Sequence, residues 1–415
     1  MFSKNSYRNS LLFFALLFAL TACAPGSPAP KNTAKRSEQS PPPLISDEPT
    51  PNLSLGAIPP NTPSIKIALI VPLSGESAAI GNAMFDAATL AIYDSYIATP
   101  SDQIRAQLVI IPKDTGVTTA QTTEAVKKAI EQGATFIVGP LFSQSVTALK
   151  PLLKEKNIMM MSFSNNKSVA DSNSYTFGFL PEQQVERIAE HAYLNKFQRV
   201  ALLAPNDAYG EKVRDALSDV YLKKGGQVSS AELYAPSIAN IDAAVSRIAA
   251  AYNNSPEDRR FQALFIADSG SQIKNILKSI HKNNINLQKI KLFGTGIWDD
   301  EELTKTPEMQ GALFPSSPPE LFNVFEKRFA TTYGYKPVRL AGLAYDAVTI
   351  VAKIAMSGNG ISAAALTDPE GFNTPASGLV RLTKDGVSDR KLAVMEITPE
   401  GFKVVDRAPK TYTLP

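Results

Sequence analysis

The chain has 415 residues, of which 44% are hydrophobic and 20% are charged, and its formal net charge is +3. This is an ordinary globular balance, sufficient for one large or two medium domains. The weak net charge gives no electrostatic reason to expect binding to nucleic acid. A single cysteine excludes an intramolecular disulfide and a cysteine-rich metal site, so packing must stabilise the fold.

Residues 1–22 have the pattern of an export signal. Lys4 and Arg8 precede an apolar run at 11–20 that is too short to span a bilayer. The run ends in Leu-Thr-Ala before Cys23, which resembles the lipobox of bacterial lipoproteins. We therefore predict cleavage before Cys23 and lipidation of this residue, which would anchor the protein stably in a membrane. The alternative is an ordinary signal peptide with a chance cysteine.

Residues 23–63 are predicted to form a tether. The segment 24–63 holds 11 of the 30 prolines and few aromatic residues. Proline-rich chain favours extended polyproline II at about 3.1 Å per residue, so the tether could reach roughly 100 Å. The predicted domain can thus work far from its membrane.

From residue 64 onward, short apolar runs alternate with helical stretches. Runs of this kind are typical of strands buried on both faces, and with intervening helices they predict a parallel, doubly wound sheet. The alternation restarts after Pro181, which predicts a second sheet and an α/β fold of two Rossmann-like lobes. The predicted strands are 65–71, 107–111, 135–138, 158–161, 199–204, 227–233, 263–267, 289–293, 311–314, 378–382 and 392–397. The predicted helices are 78–96, 119–132, 143–155, 182–195, 208–223, 241–251, 272–281, 319–332 and 341–356.

The loops after these strands are the expected ligand site, because helix N-termini at the carboxyl edge of such a sheet offer unpaired N–H groups. Most of these loops are small, polar and rich in glycine, which suits a small anionic or zwitterionic ligand. They include Ser74 and the Asp268-Ser269 pair. The alternative is that such residues only cap helices and form turns.

Enzyme chemistry has no positive support in the sequence. Two histidines, both in predicted helices, argue against a histidine-based triad or metal site, and no nucleotide-binding or nucleophile motif is present. The acids at 299–302 are consecutive, so they cannot converge on one ion. They are expected at the solvated start of a helix. We predict a protein that is not an enzyme and has no cofactor or metal.

Three segments together resemble the type I periplasmic binding-protein superfamily, in its leucine/isoleucine/valine-binding branch. They are the strand and loop at 67–75, the segment 133–140 followed by Ser143, and the Tyr-Gly segment 200–210. The resemblance implies two lobes joined by three crossover strands, which close around a ligand by hinge motion. It places 64–182 with 311–356 in lobe I and 183–310 with 357–406 in lobe II, followed by a tail at 407–415.

The resemblance also implies site residues for an amino-acid ligand. The groups that hold the ligand carboxylate correspond to residues of the lobe I loops, and the tyrosine of the second lobe corresponds to Tyr209. Gly296 falls where amino-acid receptors carry an acid for the ligand ammonium, and Asp268 is an alternative source of that charge. The lobe I positions are Ser143, Ser145, Ser162, Asn165 and Asn166.

The missing acid favours another group of this superfamily, the penicillin-binding protein activator lipoproteins, which segments 67–75 and 133–141 resemble. That resemblance implies a peptidoglycan synthase as partner. Ala24 follows the predicted anchor instead of an aspartate, which implies the outer membrane if the source is Gram-negative. The alternative is a receptor that delivers a branched-chain amino acid or similar small polar solute to an ABC permease.

Overall fold

A computed structural model describes residues 61–358 and 360–412. The predicted signal peptide, Cys23 and the tether up to residue 60 lie outside these residues. Among the residues described, no helix combines the length and the apolar character needed to cross a membrane.

The first part of the chain alternates strands and helices, as the sequence predicts. Its elements are β1 (Ser64–Val71), α1 (Ala78–Ala98), β2 (Gln107–Asp114), α2 (Thr119–Glu131), β3 (Phe136–Val138), α3 (Ser143–Lys156), β4 (Met159–Ser162) and β5 (Ser174–Thr176). The middle part repeats the pattern with α4 (Pro181–Leu194), β6 (Arg199–Pro205), α5 (Ala208–Lys224), β7 (Gln227–Tyr234), α6 (Ile238–Asn253), β8 (Ala263–Ile266), α7 (Gly270–Lys282), β9 (Lys291–Phe293), α8 (Glu301–Thr304) and β10 (Leu313–Ser316).

The last part combines helices with antiparallel strands. Its elements are α9 (Pro319–Tyr333), α10 (Arg339–Met356), α11 (Ala363–Leu366), β11 (Phe372–Thr374), β12 (Gly378–Leu382), β13 (Ser388–Arg390), β14 (Ala393–Thr398) and β15 (Gly401–Asp406).

Two sheets define the two lobes. The sheet of lobe I has the order β2-β1-β3-β4-β5, and all its neighbouring strands are parallel. Side chains of α1, α9 and α10 form the core on one face, and those of α2 and α3 form the core on the other. Because both faces are covered, residues 67–71 of β1 are completely buried.

The sheet of lobe II has the order β15-β14-β10-β9-β8-β6-β7, in which β14 and β15 run antiparallel to their neighbours. Its two cores contain α4 and α5 on one face and α6, α7 and α8 on the other. The predicted α/β fold with two doubly wound lobes is thus confirmed.

Two segments lie in a different lobe from the one predicted. Strand β10 was expected in lobe I but pairs with β9 and β14 in the sheet of lobe II. Strands β11, β12 and β13 were expected in lobe II, yet they form a separate three-stranded sheet in which Val380 and Leu382 of β12 are buried in the α1–α10 core of lobe I. Both assignments followed from the family resemblance and are wrong, because the segments that carry the resemblance all precede residue 211 and do not specify which sheet the later strands join. The rest of the predicted domain division stays a prediction.

The chain passes between the lobes three times. The first crossover lies between β5 and α4, the second between β10 and α9, and the third between β13 and β14. The described residues therefore contain the three connections that the family resemblance implies. The carboxyl-end loops of both sheets face each other beside them.

One glycine in each lobe sets how closely a helix approaches the preceding strand. A Cβ atom at Gly81 would lie 1.7 Å from the carbonyl oxygen of Pro72, and one at Gly210 would lie 1.8 Å from that of Pro205. Both contacts are with backbone, which cannot move aside as a flexible side chain would. A glycine is therefore required in the first turns of α1 and α5.

Replacing Gly81 by alanine should lower the free energy of unfolding by about 1–3 kcal/mol, because the added methyl group overlaps the Pro72 carbonyl. In an unconstrained helix the same change would raise stability by up to about 1 kcal/mol. Urea unfolding measures the difference, with Ala79→Ser on the exposed side of the same turn as control. Equal or higher stability of Gly81→Ala would contradict the close approach.

Candidate functional site in the cleft between the lobes

A cavity of about 580 Å³ lies between the two lobes. Its lining includes residues of both lobes and of all three crossovers, among them Phe179, Ser317 and Leu392. A cavity of this size suits a small organic molecule. This cleft is the candidate functional site.

The walls of the cleft are mainly apolar. From lobe I, Ile80, Leu141, Phe142 and Phe163 line the cavity, and Ile297 faces them from lobe II. Phe142 is 50% exposed and Ile297 is 37% exposed, although both are large apolar side chains. Apolar surface left open in a concave site is typical of ligand contact.

The charged groups of the cleft neutralise each other. Arg339, the first residue of α10 in lobe I, forms an ion pair with Asp299 of lobe II. The Ser316 hydroxyl donates a hydrogen bond of 2.9 Å to the same carboxylate oxygen. The Arg339 guanidinium also lies 4.0 Å from the ring centroid of Phe322. Neither charge is left without a partner, and the ion pair joins the lobes.

The polar groups on the lobe II side are also satisfied internally. The amide of Gly296 donates a hydrogen bond of 2.7 Å to the side-chain oxygen of Gln184. The hydroxyls of Tyr209 and Thr295 lie 2.6 Å apart. Burial raises the pKa of Tyr209 to about 12, although the hydrogen bond with Thr295 acts in the opposite direction. The phenol therefore stays neutral at physiological pH.

Two of the predicted ligand-binding residues, Asn165 and Tyr209, line the cavity. They come from opposite lobes, and the structure brings them to the same cleft. Their role in binding a ligand stays a prediction.

Three other candidates in lobe I are engaged within the protein. Ser145 is buried with its hydroxyl 3.2 Å from that of Thr122, on the side of α2. Ser162 is buried within β4 and donates a hydrogen bond of 3.2 Å to the carbonyl of Tyr175. Ser74 is hydrogen-bonded to Asp114.

The remaining four candidates are not part of the cavity lining. Ser143 begins α3, and Asn166 accepts a hydrogen bond of 2.8 Å from Lys212 across the lobes. Asp268 accepts hydrogen bonds from the Tyr234 hydroxyl at 2.5 Å and from the Ser269 amide at 2.8 Å. Asp268 is therefore engaged within lobe II. That it or the other candidates hold a ligand stays a prediction.

Sequence reasoning missed the charged pair of the cleft. Asp299 was expected in a solvated acidic segment, but its side chain is only 13% exposed and pairs with Arg339. Asp300, Glu301 and Glu302 do lie at the start of α8 as expected. The position of Asp299 in the loop after β9 was the available signal, since that loop was already expected to face a ligand.

Among the residues that the structure describes, no group of three or more His, Cys, Asp or Glu side chains is arranged to hold a metal ion.

The sequence model of the periplasmic binding protein family matches residues 64–402. The chain therefore belongs to the periplasmic binding protein family. Its fold is similar to a solved structure of a putative branched-chain amino acid ABC transporter from Rhodospirillum rubrum, with a TM-score of 0.71 and 16% identity. That comparison covers 82% of this chain and 100% of the other, and at this identity it establishes the fold alone.

The chain is similar in sequence to two relatives, of which one is uncharacterized and the other has a name that describes its role. An uncharacterized protein of Rickettsia prowazekii is 22% identical over 54% of this chain and 59% of its own length. The penicillin-binding protein activator LpoA of Photobacterium profundum is 25% identical over 44% of this chain. This chain covers only 28% of that LpoA, so it matches a part of a longer protein.

The ion pair across the cleft should contribute measurably to stability. A double-mutant cycle with Asp299→Asn and Arg339→Gln should give a coupling free energy of about 1–2 kcal/mol, because the aspartate is largely shielded from water. The exposed pair Glu302 and Lys305, 2.6 Å apart, is the matched control and should couple far more weakly. Urea unfolding gives both values. Equal coupling in the two pairs would show that the cleft pair is solvated.

Proposed function

We propose that this protein is a non-catalytic, lipid-anchored lipoprotein that activates a penicillin-binding protein and thereby regulates peptidoglycan synthesis. The similarity to LpoA supports the partner, and the binding-protein fold supports a role in contact with other molecules rather than in catalysis. Of the two sequence relatives named above, the one with a described role is a penicillin-binding protein activator.

The observation that carries the proposal is the internal neutralisation of the cleft. An amino-acid zwitterion needs an unpaired acid for its ammonium and an unpaired donor set for its carboxylate. Asp299 and Arg339 are already paired, and Gly296 offers no side chain. Burying an unpaired ammonium would cost several kcal/mol. The cleft therefore favours a function other than amino-acid delivery.

An envelope location fits the family, whose name places its members in the periplasm. We further propose that lipidated Cys23 holds the protein at the outer membrane and that residues 24–63 let the folded domain extend toward the cell-wall layer. Ala24 after the anchor supports this placement if the host is Gram-negative.

Two substitutions should separate anchoring from sorting. Cys23→Ser should abolish incorporation of labelled fatty acid and release the protein from the membrane fraction, since the acyl chains supply the membrane affinity. In a Gram-negative host, Ala24→Asp should keep the lipid but move the protein to the inner membrane. Fractionation of labelled cells measures both. Undiminished labelling of Cys23→Ser would show that the lipid is attached elsewhere, and absence of labelling in the unaltered protein would show that the segment is an ordinary signal.

Crosslinking of the intact lipoprotein in membranes should recover a penicillin-binding protein, detected by labelling with fluorescent penicillin. Adding the lipoprotein to the recovered synthase should raise its rate of peptidoglycan synthesis. Both results are expected because the proposed activity requires direct contact between the two proteins.

The matched control is a hybrid that carries residues 1–63 of this chain fused to the Rhodospirillum rubrum protein of similar fold. The hybrid has the anchor and the tether but a different domain, so it should recover no synthase. Equal recovery by the hybrid, or recovery of an ABC permease alone, would refute the activator proposal.

The second candidate is a receptor that delivers a branched-chain amino acid or similar small polar solute to an ABC permease. The observation in its favour is the cavity itself, which Asn165 and Tyr209 still face from opposite lobes. Calorimetry with the branched-chain amino acids distinguishes the candidates. Tight binding to one of them, weakened by Tyr209→Ala, would favour the receptor.

A further inference from the structure

The end of the chain returns from lobe II to lobe I after the last strand. Strand β15 pairs with β14 in the sheet of lobe II, and Ala408 packs against the core of that lobe. Tyr412 contacts the three-stranded sheet β11-β12-β13, whose strand β12 is buried in the core of lobe I. Residues 409–411 therefore connect an anchor on one lobe with an anchor on the other.

The anchor on lobe I is the ring of Tyr412, which is only 8% exposed although it lies close to the end of the chain. Its hydroxyl donates a hydrogen bond to the carbonyl of Asp389. The Arg381 guanidinium and the Lys391 ammonium lie 4.1 Å and 4.2 Å from the centre of the ring. The carboxylate of Asp389 pairs with both cations, at 3.0 Å and 3.5 Å, and so holds them in place. Because cations are attracted to the face of an aromatic ring, Tyr412 is held by specific contacts.

The anchor on lobe II is the end of β15 together with Ala408. The carboxylate of Asp406 lies 2.8 Å from the Arg187 guanidinium and 3.0 Å from a ring nitrogen of His191, and both partners belong to α4. Burial acts to raise the pKa of Asp406, yet the hydrogen bonds from Arg187 and His191 hold this pKa below its usual range. Asp406 therefore stays ionised and paired at neutral pH, and the strand end remains fixed to lobe II.

The segment between the two anchors is short. Four peptide units separate the Cα atoms of Ala408 and Tyr412, and fully extended they reach at most about 14 Å. Pro409 also restricts the backbone of the segment, because its ring fixes φ. When the lobes rotate apart about the crossovers, the segment cannot lengthen beyond this limit. Either the opening stops there or Tyr412 leaves its position.

We propose that residues 407–412 form a strap that limits how far the two lobes can separate, with Tyr412 as its releasable end. Release of Tyr412 is then the step that permits full opening of the cleft. This inference goes beyond the activator function and does not depend on it. Its test contains no partner protein and measures only the separation of the lobes.

Spin labels on the two lobes measure that separation. Lys127→Cys on α2 of lobe I and Lys278→Cys on α7 of lobe II provide exposed attachment sites. The mature chain carries Cys23→Ser, so that only the introduced thiols are labelled. Asp299→Asn is added to every sample, because the ion pair that it removes also joins the lobes. Pulsed electron spin resonance then gives the distribution of distances between the labels.

Two changes to the strap should open the protein. Tyr412→Ala removes the ring contacts and the hydrogen bond, and it should raise the population at long distances about tenfold or more. Insertion of Gly-Ser-Gly-Ser between Pro409 and Lys410 keeps both anchors and adds up to about 14 Å of reach, so it should also shift the distribution to longer distances. Lys410→Ala is the matched control, because this exposed side chain lies within the span and both anchors remain.

The insertion separates a strap from a residue that only stabilises lobe I. Urea unfolding should show that the insertion leaves the stability of the protein unchanged, since every contact of Tyr412 is retained. Distances that are unchanged in the insertion variant would show that the span does not limit opening, and they would overturn the proposal even if Tyr412→Ala had destabilised the lobe. Unchanged distances in Tyr412→Ala would overturn it as well.

Discussion

The geometry of the cleft depends on one buried arginine. Arg390, in β13 just before the third crossover, is only 5% exposed and donates hydrogen bonds of 2.7 Å to the Ser377 hydroxyl and 2.6 Å to the carbonyl of Phe177 in the first crossover. The Ser377 hydroxyl in turn donates to the completely buried carboxylate of Asp346. Because a buried charge is stable only with its partners in place, this network fixes two crossovers against α10 of lobe I.

The same network shows how burial and pairing oppose each other. Burial lowers the pKa of Arg390 to about 10 and raises the pKa of Asp346, while the attraction between the two groups acts against both shifts.

Lobe II is attached to this region through α4, where Arg187 donates a hydrogen bond of 2.8 Å to the carbonyl of Leu392 in the third crossover. Leu392 also lines the cleft, so the groups that hold the crossovers position the wall of the site.

The local sequence pattern predicted most of the helices and strands, but it did not predict which strands pair with each other. Strands such as β1 and β6 were found within one residue because their apolar runs are buried on both faces. Strands β5, β11, β13 and β15 were missed, since sequences such as Ser-Tyr-Thr, Phe-Asn-Thr and Ser-Asp-Arg contain no apolar run. The lobes predicted for β10 and β12 were wrong because strand pairing depends on contacts between residues far apart in sequence. In the site, the family resemblance predicted that Asn165 and Tyr209 lie in the cleft, but the pairing of Asp299 with Arg339 joins residues far apart in sequence.

Asp299 and Asp300 illustrate why the function of a familiar fold cannot be transferred by position alone. Asp300 is the N-cap of α8 and accepts a hydrogen bond of 3.0 Å from the Glu302 amide. Its neighbour turns into the cleft and meets an arginine of the other lobe. That pair neutralises the charges of the cleft and at the same time links the two lobes, so the polarity of the cleft and its freedom to open are coupled. An amino-acid receptor needs unpaired charges in its cleft and must open repeatedly, whereas a protein that presents a fixed surface to a partner needs neither. The coupling therefore supports the proposed contact with a partner protein.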